Sequence, residues 1–290
     1  MLCNCTQMLM GVRERVFRSP LRLFNLVAGW STAVPGNSQM VAWNTVSNSD
    51  VIYHSFRTEM LAVFNEFSGQ AEWGNVYYAI QPVSNSYPGL FHPSQSMIQG
   101  NNVTYNVAEH GVTRSMFQLQ GVLDNQEITS PCSINVDDPV FALSTDLGTI
   151  QATQSPVVWA IGHVTDPAIS YTDTSGVTTQ RSLYYKSQYS DDGTLVSSGI
   201  PWEDDVFNVY EQIVDFLNDF ANASSRAQQL DKKILQDAAS VSNPLEDLVS
   251  LAIAQVYGST QLTIGTDPRG NFNNSDVMMF MKNIGGLVPK

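Results

Sequence analysis

Residues 70–80 read Gln-Ala-Glu-Trp-Gly-Asn-Val-Tyr-Tyr-Ala-Ile, and this stretch decides the fold that the sequence predicts. It begins polar, turns at Gly74 and continues into the apolar block 76–80. Aromatic and β-branched residues favour a pleated, half-buried surface, so the block predicts a β-strand. A tryptophan before a glycine is typical of a tight bend beside a buried ring, so Trp73 is expected to be largely buried. Side chains alternate along a strand, which places Val76, Tyr78 and Ile80 on one face and Tyr77 and Ala79 on the other.

Three interpretations of this stretch are open. The first is a core strand with an aromatic anchor, which such apolar runs favour. The second is an aromatic platform for a ligand, with Trp73 and Tyr77 as candidate substrate-binding residues. The third is an interface with another surface.

The chain on either side of this stretch, from residue 24 to residue 190, repeats one pattern. Short apolar blocks alternate with turn clusters rich in Pro, Gly, Asn, Ser and Asp, which predicts a β-sandwich rather than a parallel sheet. The predicted strands are 26–30, 40–43, 51–56, 61–67, 76–81, 103–107, 116–119, 140–144, 157–164 and 183–186.

The apolar period changes from two to about 3.6 after Pro201. One helix is predicted around 206–220 and a second from about Ser224 to Ala239. A third is predicted to start with Asn243 as its N-cap and to end near Gly258. The third helix is apolar on several sides, so an exposed apolar patch is expected at Leu248, Leu251, Ala252 and Val256.

Composition excludes several classes of function. The chain has 290 residues, a formal net charge of −13 and only 14% charged residues. An acidic surface repels phosphate backbones, so nucleic acid is not an expected partner. No apolar run approaches the roughly 20 residues of a membrane helix, so no membrane partner is expected either. Residues 1–22 carry four arginines without an apolar core or a small-residue cleavage site, so they do not form a signal peptide.

Cysteines and sequons indicate little more about the fold or the function. Three cysteines make no disulfide framework, and no cysteine or histidine pattern typical of a metal site occurs. Sequons that fit secretion, and are candidate glycosylation sites, start at Asn4, Asn102, Asn222 and Asn273.

The search for catalytic groups ends at two candidates, Asp138 and Asp146. The predicted strand 140–144 separates these carboxylates by roughly 25 Å at about 3.3 Å per residue, too far for a pair. Both positions are also typical of aspartates in turns. The four histidines are scattered singly along the chain, and no nucleophile–base motif is present.

Several segments, in order and spacing, resemble the glutaminase A family of secreted fungal and bacterial proteins. The segments are Glu-Trp-Gly-x-x-Tyr-Tyr-Ala at 72–79, Val-Thr-Tyr at 103–105 with Arg114, Phe117 and 121–123, Asp-Pro-Val-Phe at 138–141 with 146–148, and the region 216–262. One departure is Ala254-Gln255, where the family usually has Arg-Gln.

The resemblance implies a fold and a domain order. It implies a supersandwich-like β-sandwich followed by an α-helical segment that starts an (α/α) toroid, as in six-hairpin glycosidases. The expected parts are an N-terminal segment at 1–22, an N-terminally incomplete β-sandwich at 23–200, and a helical linker with the truncated start of the toroid at 201–290. The absent C-terminal helical domain would then be an intramolecular partner of this chain.

The resemblance also implies an activity and a location. The implied activity is extracellular hydrolysis of L-glutamine to glutamate and ammonia, without a cofactor. Because no nucleophile–base motif is present and the toroid is incomplete, this chain alone is expected to be inactive. The alternatives are a non-catalytic β-sandwich binding or scaffold module, and an accessory domain of a six-hairpin glycosidase-like enzyme.

Overall fold

The computed structural model describes residues 9–11, 26–28, 40–67, 70–71, 73–82, 103–145, 157–188, 209–267 and 269–281. These residues form two compact units, one ending at Val164 and the other beginning at Thr165. Elements of the first unit are β1 (Leu9–Gly11), β2 (Leu26–Ala28), β3 (Met40–Ser47), β4 (Ile52–Thr58), β5 (Glu66–Phe67), β6 (Gln70–Ala71), β7 (Asn75–Ile80), β8 (Val103–Glu109), α1 (His110–Gln120), β9 (Gln126–Glu127), β10 (Cys132–Ser133), α2 (Ile134–Asp137), β11 (Pro139–Thr145) and β12 (Trp159–Val164). Elements of the second unit are β13 (Ile169–Thr172), β14 (Thr178–Leu183), a 3-10 helix (Tyr184–Gln188), α3 (Val209–Asn218), α4 (Phe220–Ala239), α5 (Asn243–Ser259), β15 (Thr260–Thr266) and β16 (Phe272–Met281).

Two sheets face each other in the first unit. A five-stranded antiparallel sheet has the order β10-β3-β4-β7-β12, and a three-stranded sheet has the order β11-β8-β9. Their inner faces share one hydrophobic core, in which the Phe56 and Phe141 rings stack with centroids 4.0 Å apart. Trp43 meets Phe141 edge to face at 5.7 Å. The predicted β-sandwich is therefore confirmed.

The strand that the sequence analysis started from lies in the middle of this sandwich. Val76, Tyr78 and Ile80 belong to the shared core, as the alternation predicted. Tyr77 and Ala79 point to the opposite face and are buried as well, at 5% and 0% exposure. The strand is thus covered on both sides, which is typical of a central strand.

Three of the predicted strands are wrong. Of residues 183–186, only Leu183 belongs to a strand, because Tyr184–Gln188 form a 3-10 helix. Residues 116–119 belong to helix α1, which ends where Gly121 adopts a left-handed φ of 72° and donates its N–H to the Phe117 carbonyl. Phe117 packs on the cluster of Leu123, Val140 and Ala142, so tertiary packing selects the helix. Residues 61–65 form no strand, and within 61–67 strand pairing begins only at β5.

The helical segment of the second unit follows the predicted pattern. Helices α3, α4 and α5 cover the three predicted helices within the described residues. Ser242 rather than Asn243 caps α5, because the Ser242 hydroxyl accepts the Leu245 N–H at 3.3 Å. The predicted apolar patch is exposed: Leu248, Leu251 and Val256 are 62%, 76% and 43% exposed, although Ala252 is half-buried.

The chain returns to β-structure after α5, in two strands that the sequence analysis did not predict, while the division into domains stays a prediction. Strands β15 and β16 pair antiparallel and complete a four-stranded sheet in the order β13-β14-β15-β16. Four of the seven residues of 260–266 are β-branched, which favours a strand. The Asp267 carboxylate accepts the N–H groups of Arg269 and Asn271 in the following turn.

A buried arginine connects three neighbouring strands of this sheet through its side-chain bonds. The Arg181 side chain is 2% exposed, donates Nε–H to the Thr263 hydroxyl at 2.9 Å, and pairs with the Asp276 carboxylate at 2.9 Å. Gly265 provides the room, because a Cβ there would lie 1.9 Å from Asp276 Oδ2. Lys186 is also buried and pairs with Asp166.

None of the helices within the described ranges combines the length and hydropathy needed to cross a bilayer.

Candidate functional site

The aromatic candidates Trp73 and Tyr77 lie in the packed interior. Trp73 is 8% exposed, and its ring meets Phe64 edge to face at 5.3 Å. Gly74 follows with a left-handed φ of 98°, which makes the tight bend that the sequence predicted. Burial, and then the nearby Tyr53, raise the pKa of Tyr77 far above its ordinary value, so its hydroxyl stays neutral. The burial predicted for Trp73 is confirmed, while a role of either ring in substrate binding stays a prediction.

The carboxylate candidates are not brought together by the described structure. Asp138 lies directly before β11, and Asp146 falls outside the described residues. The structure instead places His110 beside Asp138, with Nδ1 2.5 Å from Oδ2. Asp138 has a left-handed φ of 38°, which is strained for a residue other than glycine.

Strand register explains the His110–Asp138 pair. Pro139 is paired with Glu109 at the end of the antiparallel β8–β11 ladder. His110, which follows Glu109, therefore lies opposite Asp138, which precedes Pro139. The His110 N–H also donates to the Asp138 carbonyl at 3.2 Å. The two side chains are 50% and 44% exposed, and no hydroxyl or thiol of the described residues bonds to His110 Nε2. The pair is therefore a solvent-exposed polar contact rather than a nucleophile–base system.

His54 is the buried histidine of the sandwich. Its Nε2–H donates to the Ala142 carbonyl at 3.1 Å, and its Nδ1 accepts the Thr45 hydroxyl at 2.8 Å. The bond to Ala142 connects the two sheets, whereas the bond to Thr45 lies within the five-stranded sheet. Burial lowers the pKa of His54 from 6.5 to about 4, against the smaller raising effect of the Ala142 carbonyl. The residue is a structural link between sheets.

An open cleft of about 590 Å³ lies at one end of the sandwich. It is bounded by the start of β3, the end of β8, the loop before β10, and α2. Its volume falls in the range of small-ligand sites. The lining side chains are Met40, Glu109, Ile128, Thr129, Pro131, Cys132, Ser133, Val136 and Asp137.

The polar groups of this cleft are acidic. Glu109 carries a carboxylate for which the described residues supply no donor, and Asp137 Oδ2 accepts the Ser133 N–H at 3.0 Å. Cys132 is 7% exposed, and its thiol has no hydrogen-bond partner among the described residues. Burial, and then the nearby Asp137 carboxylate, raise the pKa of this thiol to about 11. Cys132 is therefore a neutral thiol at physiological pH and not an activated nucleophile.

Sequence reasoning missed this cleft. Cys132 reaches it through the pairing of β10 with β3, and Glu109 reaches it at the end of β8. Asp137 reaches it at the end of α2, next to the candidate Asp138. In the part of the chain that the structure describes, no three His, Cys, Asp or Glu side chains are grouped to hold a metal ion.

Two of the four sequons fall on described residues. Asn222 is exposed near the start of α4, and Asn273 is half-buried in β16. Asn273 Oδ1 accepts the Ser275 N–H at 3.0 Å. Asn4 and Asn102 lie outside the described residues, and glycosylation of any of these sites stays a prediction.

The described fold defines a class: a unit with a two-sheet β-sandwich, followed by a unit in which helices accompany a four-stranded sheet. Residues 28–237 match the family described as Domain of unknown function (DUF5127), and the chain belongs to this family.

Two curated fungal relatives support the glutaminase A resemblance. Glutaminase A of Aspergillus oryzae is 28% identical over 245 residues, covering 80% of this chain and 30% of that protein. A "Probable glutaminase" of Arthroderma benhamiae is 24% identical over 222 residues, covering 73% of this chain and 21% of that protein. The chain thus spans less than a third of the length of these relatives. No solved structure matches it.

Proposed function

We propose that this chain is the glutamine-binding part of an extracellular amidohydrolase that converts L-glutamine and water to glutamate and ammonia. One observation carries the proposal: the similarity to a protein named Glutaminase A extends over 80% of the chain. The similarity to a probable glutaminase over 73% of the chain supports it. The location outside the cell follows from the same resemblance.

We assign binding rather than chemistry to the described residues. Amide hydrolysis needs an activated nucleophile or water and donors for the developing oxyanion. The His110–Asp138 pair has no partnered hydroxyl, and the Cys132 thiol is protonated at neutral pH. The chain by itself is therefore expected to bind L-glutamine without hydrolysing it.

The exposed apolar side of α5 supports a further part of this proposal. Leu248, Leu251 and Val256 offer a surface that helices stabilised by tertiary packing normally cover. We propose that further helices of a toroid-like domain cover it in a glutaminase of full length.

The test combines a turnover assay with a binding measurement. Ammonia release from L-glutamine is followed for the purified chain, with Aspergillus oryzae Glutaminase A as the positive control. Binding of L-glutamine is followed by saturation-transfer NMR. We expect binding without turnover. Absence of binding contradicts the proposal, and so does turnover that copurifies with the chain and disappears on a point substitution within it. Calorimetry with oligosaccharides tests the alternative of a glycosidase accessory domain.

A further inference from the structure

The side of helix α4 that carries Asn222 is polar. Residues three, four and seven positions after a given residue lie on the same side of a helix. For Asn222 these residues are Ser225, Arg226 and Gln229, and all three are exposed. The Gln229 amide donates to the Ser225 hydroxyl at 3.2 Å, and Arg226 pairs with the carboxylate of Asp219, which lies three residues before Asn222. This side of α4 is therefore a solvated surface rather than a packing surface.

Asn222 also starts the sequon Asn-Ala-Ser at 222–224. Its side chain is exposed and donates a hydrogen bond to the Asp219 carboxylate. An asparagine amide has two N–H donors. Attachment of a sugar to Nδ2 replaces one of them, so the other can still donate to Asp219. The position thus accepts a glycan without loss of its present contact.

The other sequon on described residues lies in a different environment. Asn273 is half-buried in β16, opposite Gly265 in the β15–β16 ladder. Its Oδ1 accepts the Ser275 N–H inside the sequon at 3.0 Å. A glycan there would be attached to a partly covered side chain in a sheet, whereas at Asn222 it would be attached to an open helix surface.

We propose that Asn222 carries an N-linked oligosaccharide and that Asn273 does not. The proposal rests on the extracellular location proposed above, because sequons are modified on the secretory route. In the transfer, Nδ2 forms a bond to C1 of the first sugar and releases one proton. The bond between C1 and the pyrophosphate of a lipid-linked oligosaccharide donor breaks, and the pyrophosphate leaves with the electron pair.

A glycan at Asn222 divides the helical segment into two kinds of surface. An oligosaccharide is bulky and hydrated, so it keeps other protein surfaces away from the side of α4 that it covers. The exposed side chains Leu248 and Leu251 lie on α5, which contains no sequon. The apolar side of α5 therefore stays free for the further helices proposed above.

Site occupancy is measured on the chain secreted from a eukaryotic host behind a signal peptide. Enzymatic release of glycans in heavy-oxygen water converts each glycosylated asparagine to a labelled aspartate, which peptide mass spectrometry locates. We expect the label at Asn222 and not at Asn273. Asn222→Gln and Ser224→Ala should each reduce the mass of the intact chain by one oligosaccharide. Asn273→Gln is the matched control and should leave the number of glycans unchanged.

Dye binding tests the division into two surfaces. The glycosylated chain and its Asn222→Gln variant should bind a hydrophobic dye equally, because the glycan does not cover the apolar side of α5. Stronger dye binding by the Asn222→Gln variant would show that the glycan covers this apolar side, and would overturn this part of the proposal.

The remaining outcomes separate the glycan from the proposed function. An unlabelled Asn222, or a label at Asn273, overturns the glycan proposal whatever the state of Asn4 and Asn102. If a chain without the label at Asn222 binds L-glutamine by saturation-transfer NMR, the proposed function stands. If a chain labelled at Asn222 does not bind L-glutamine, the glycan proposal stands and the proposed function is wrong.

Discussion

Acidification should destabilise the first unit through His54. The folded chain holds this ring neutral with a pKa of about 4, against 6.5 for an unperturbed histidine. Between these two values the unfolded chain binds a proton that the folded chain does not bind, so stability falls as pH falls. The contribution is fully present above pH 6.5 and is lost progressively down to pH 4.

The magnitude follows from the same two pKa values. A difference of about 2.5 pKa units corresponds to about 3 kcal/mol once pH lies below both values. Between pH 7 and pH 4.5 the expected loss is about 2 kcal/mol, because part of the titration lies outside that window. This is a large fraction of the stability of an ordinary domain.

The assay compares the chain with a His54→Gln variant, whose amide can still donate to the Ala142 carbonyl but does not titrate. Free energies of unfolding are measured in urea at pH 7 and pH 4.5 by tryptophan fluorescence, because Trp43 and Trp73 are buried in the same unit. Other carboxylates and histidines titrate in both proteins, so their effects cancel in the comparison. The variant should lose about 2 kcal/mol less than the unsubstituted chain on acidification. Parallel pH profiles for the two proteins would refute the reasoning.

Three further changes test other parts of the structure. Trp73→Ala should lower the free energy of unfolding by about 3–5 kcal/mol, because the ring is buried in the core. An unchanged melting temperature would contradict this prediction. Gly265→Ala should lower the free energy of unfolding by about 1–3 kcal/mol, because the added Cβ displaces the Asp276 carboxylate from Arg181. Gly162→Ala is the control and should be nearly neutral, because a Cβ there has nothing within 4 Å. Equal effects of the two substitutions in urea denaturation would disprove the steric argument. Leu251→Gln should reduce the binding of a hydrophobic dye and self-association by removing part of the apolar surface of α5, and a chain that binds no dye before substitution would contradict the existence of an accessible patch.

Local pattern was sufficient where burial follows sequence periodicity. The alternation in 76–80 predicted which side chains of β7 face the shared core, and the 3.6-residue period predicted α3 to α5. It was insufficient for short apolar runs, since 116–119 reads equally as strand or helix without knowledge of what covers it. Only the packing of Phe117 against Leu123 and Val140 decides that α1 is a helix.

The contacts of the candidate site could not be predicted from local sequence pattern, for a different reason. His110 and Asp138 are separated along the chain, and their contact follows from a ladder register that neither segment specifies alone. The cleft likewise needs the pairing of β10 with β3, which joins residues far apart in sequence. The residue types were visible in the sequence, but their proximity depends on non-local strand pairing.

The order of elements in the second unit has a consequence for synthesis on the ribosome. Strands β14 and β15 are neighbours in one sheet, yet α3, α4 and α5 lie between them in the chain. The hairpin of β13 and β14 therefore leaves the ribosome first. The edge of β14 that pairs with β15 stays unpaired until the three helices and then Thr260 have been translated. At about 5–20 residues per second this wait lasts roughly 4–15 seconds. During that time Arg181 has neither Thr263 nor Asp276 to bond with. A nascent chain stalled before Thr260 should therefore be a preferred client of chaperones that bind unpaired strand edges.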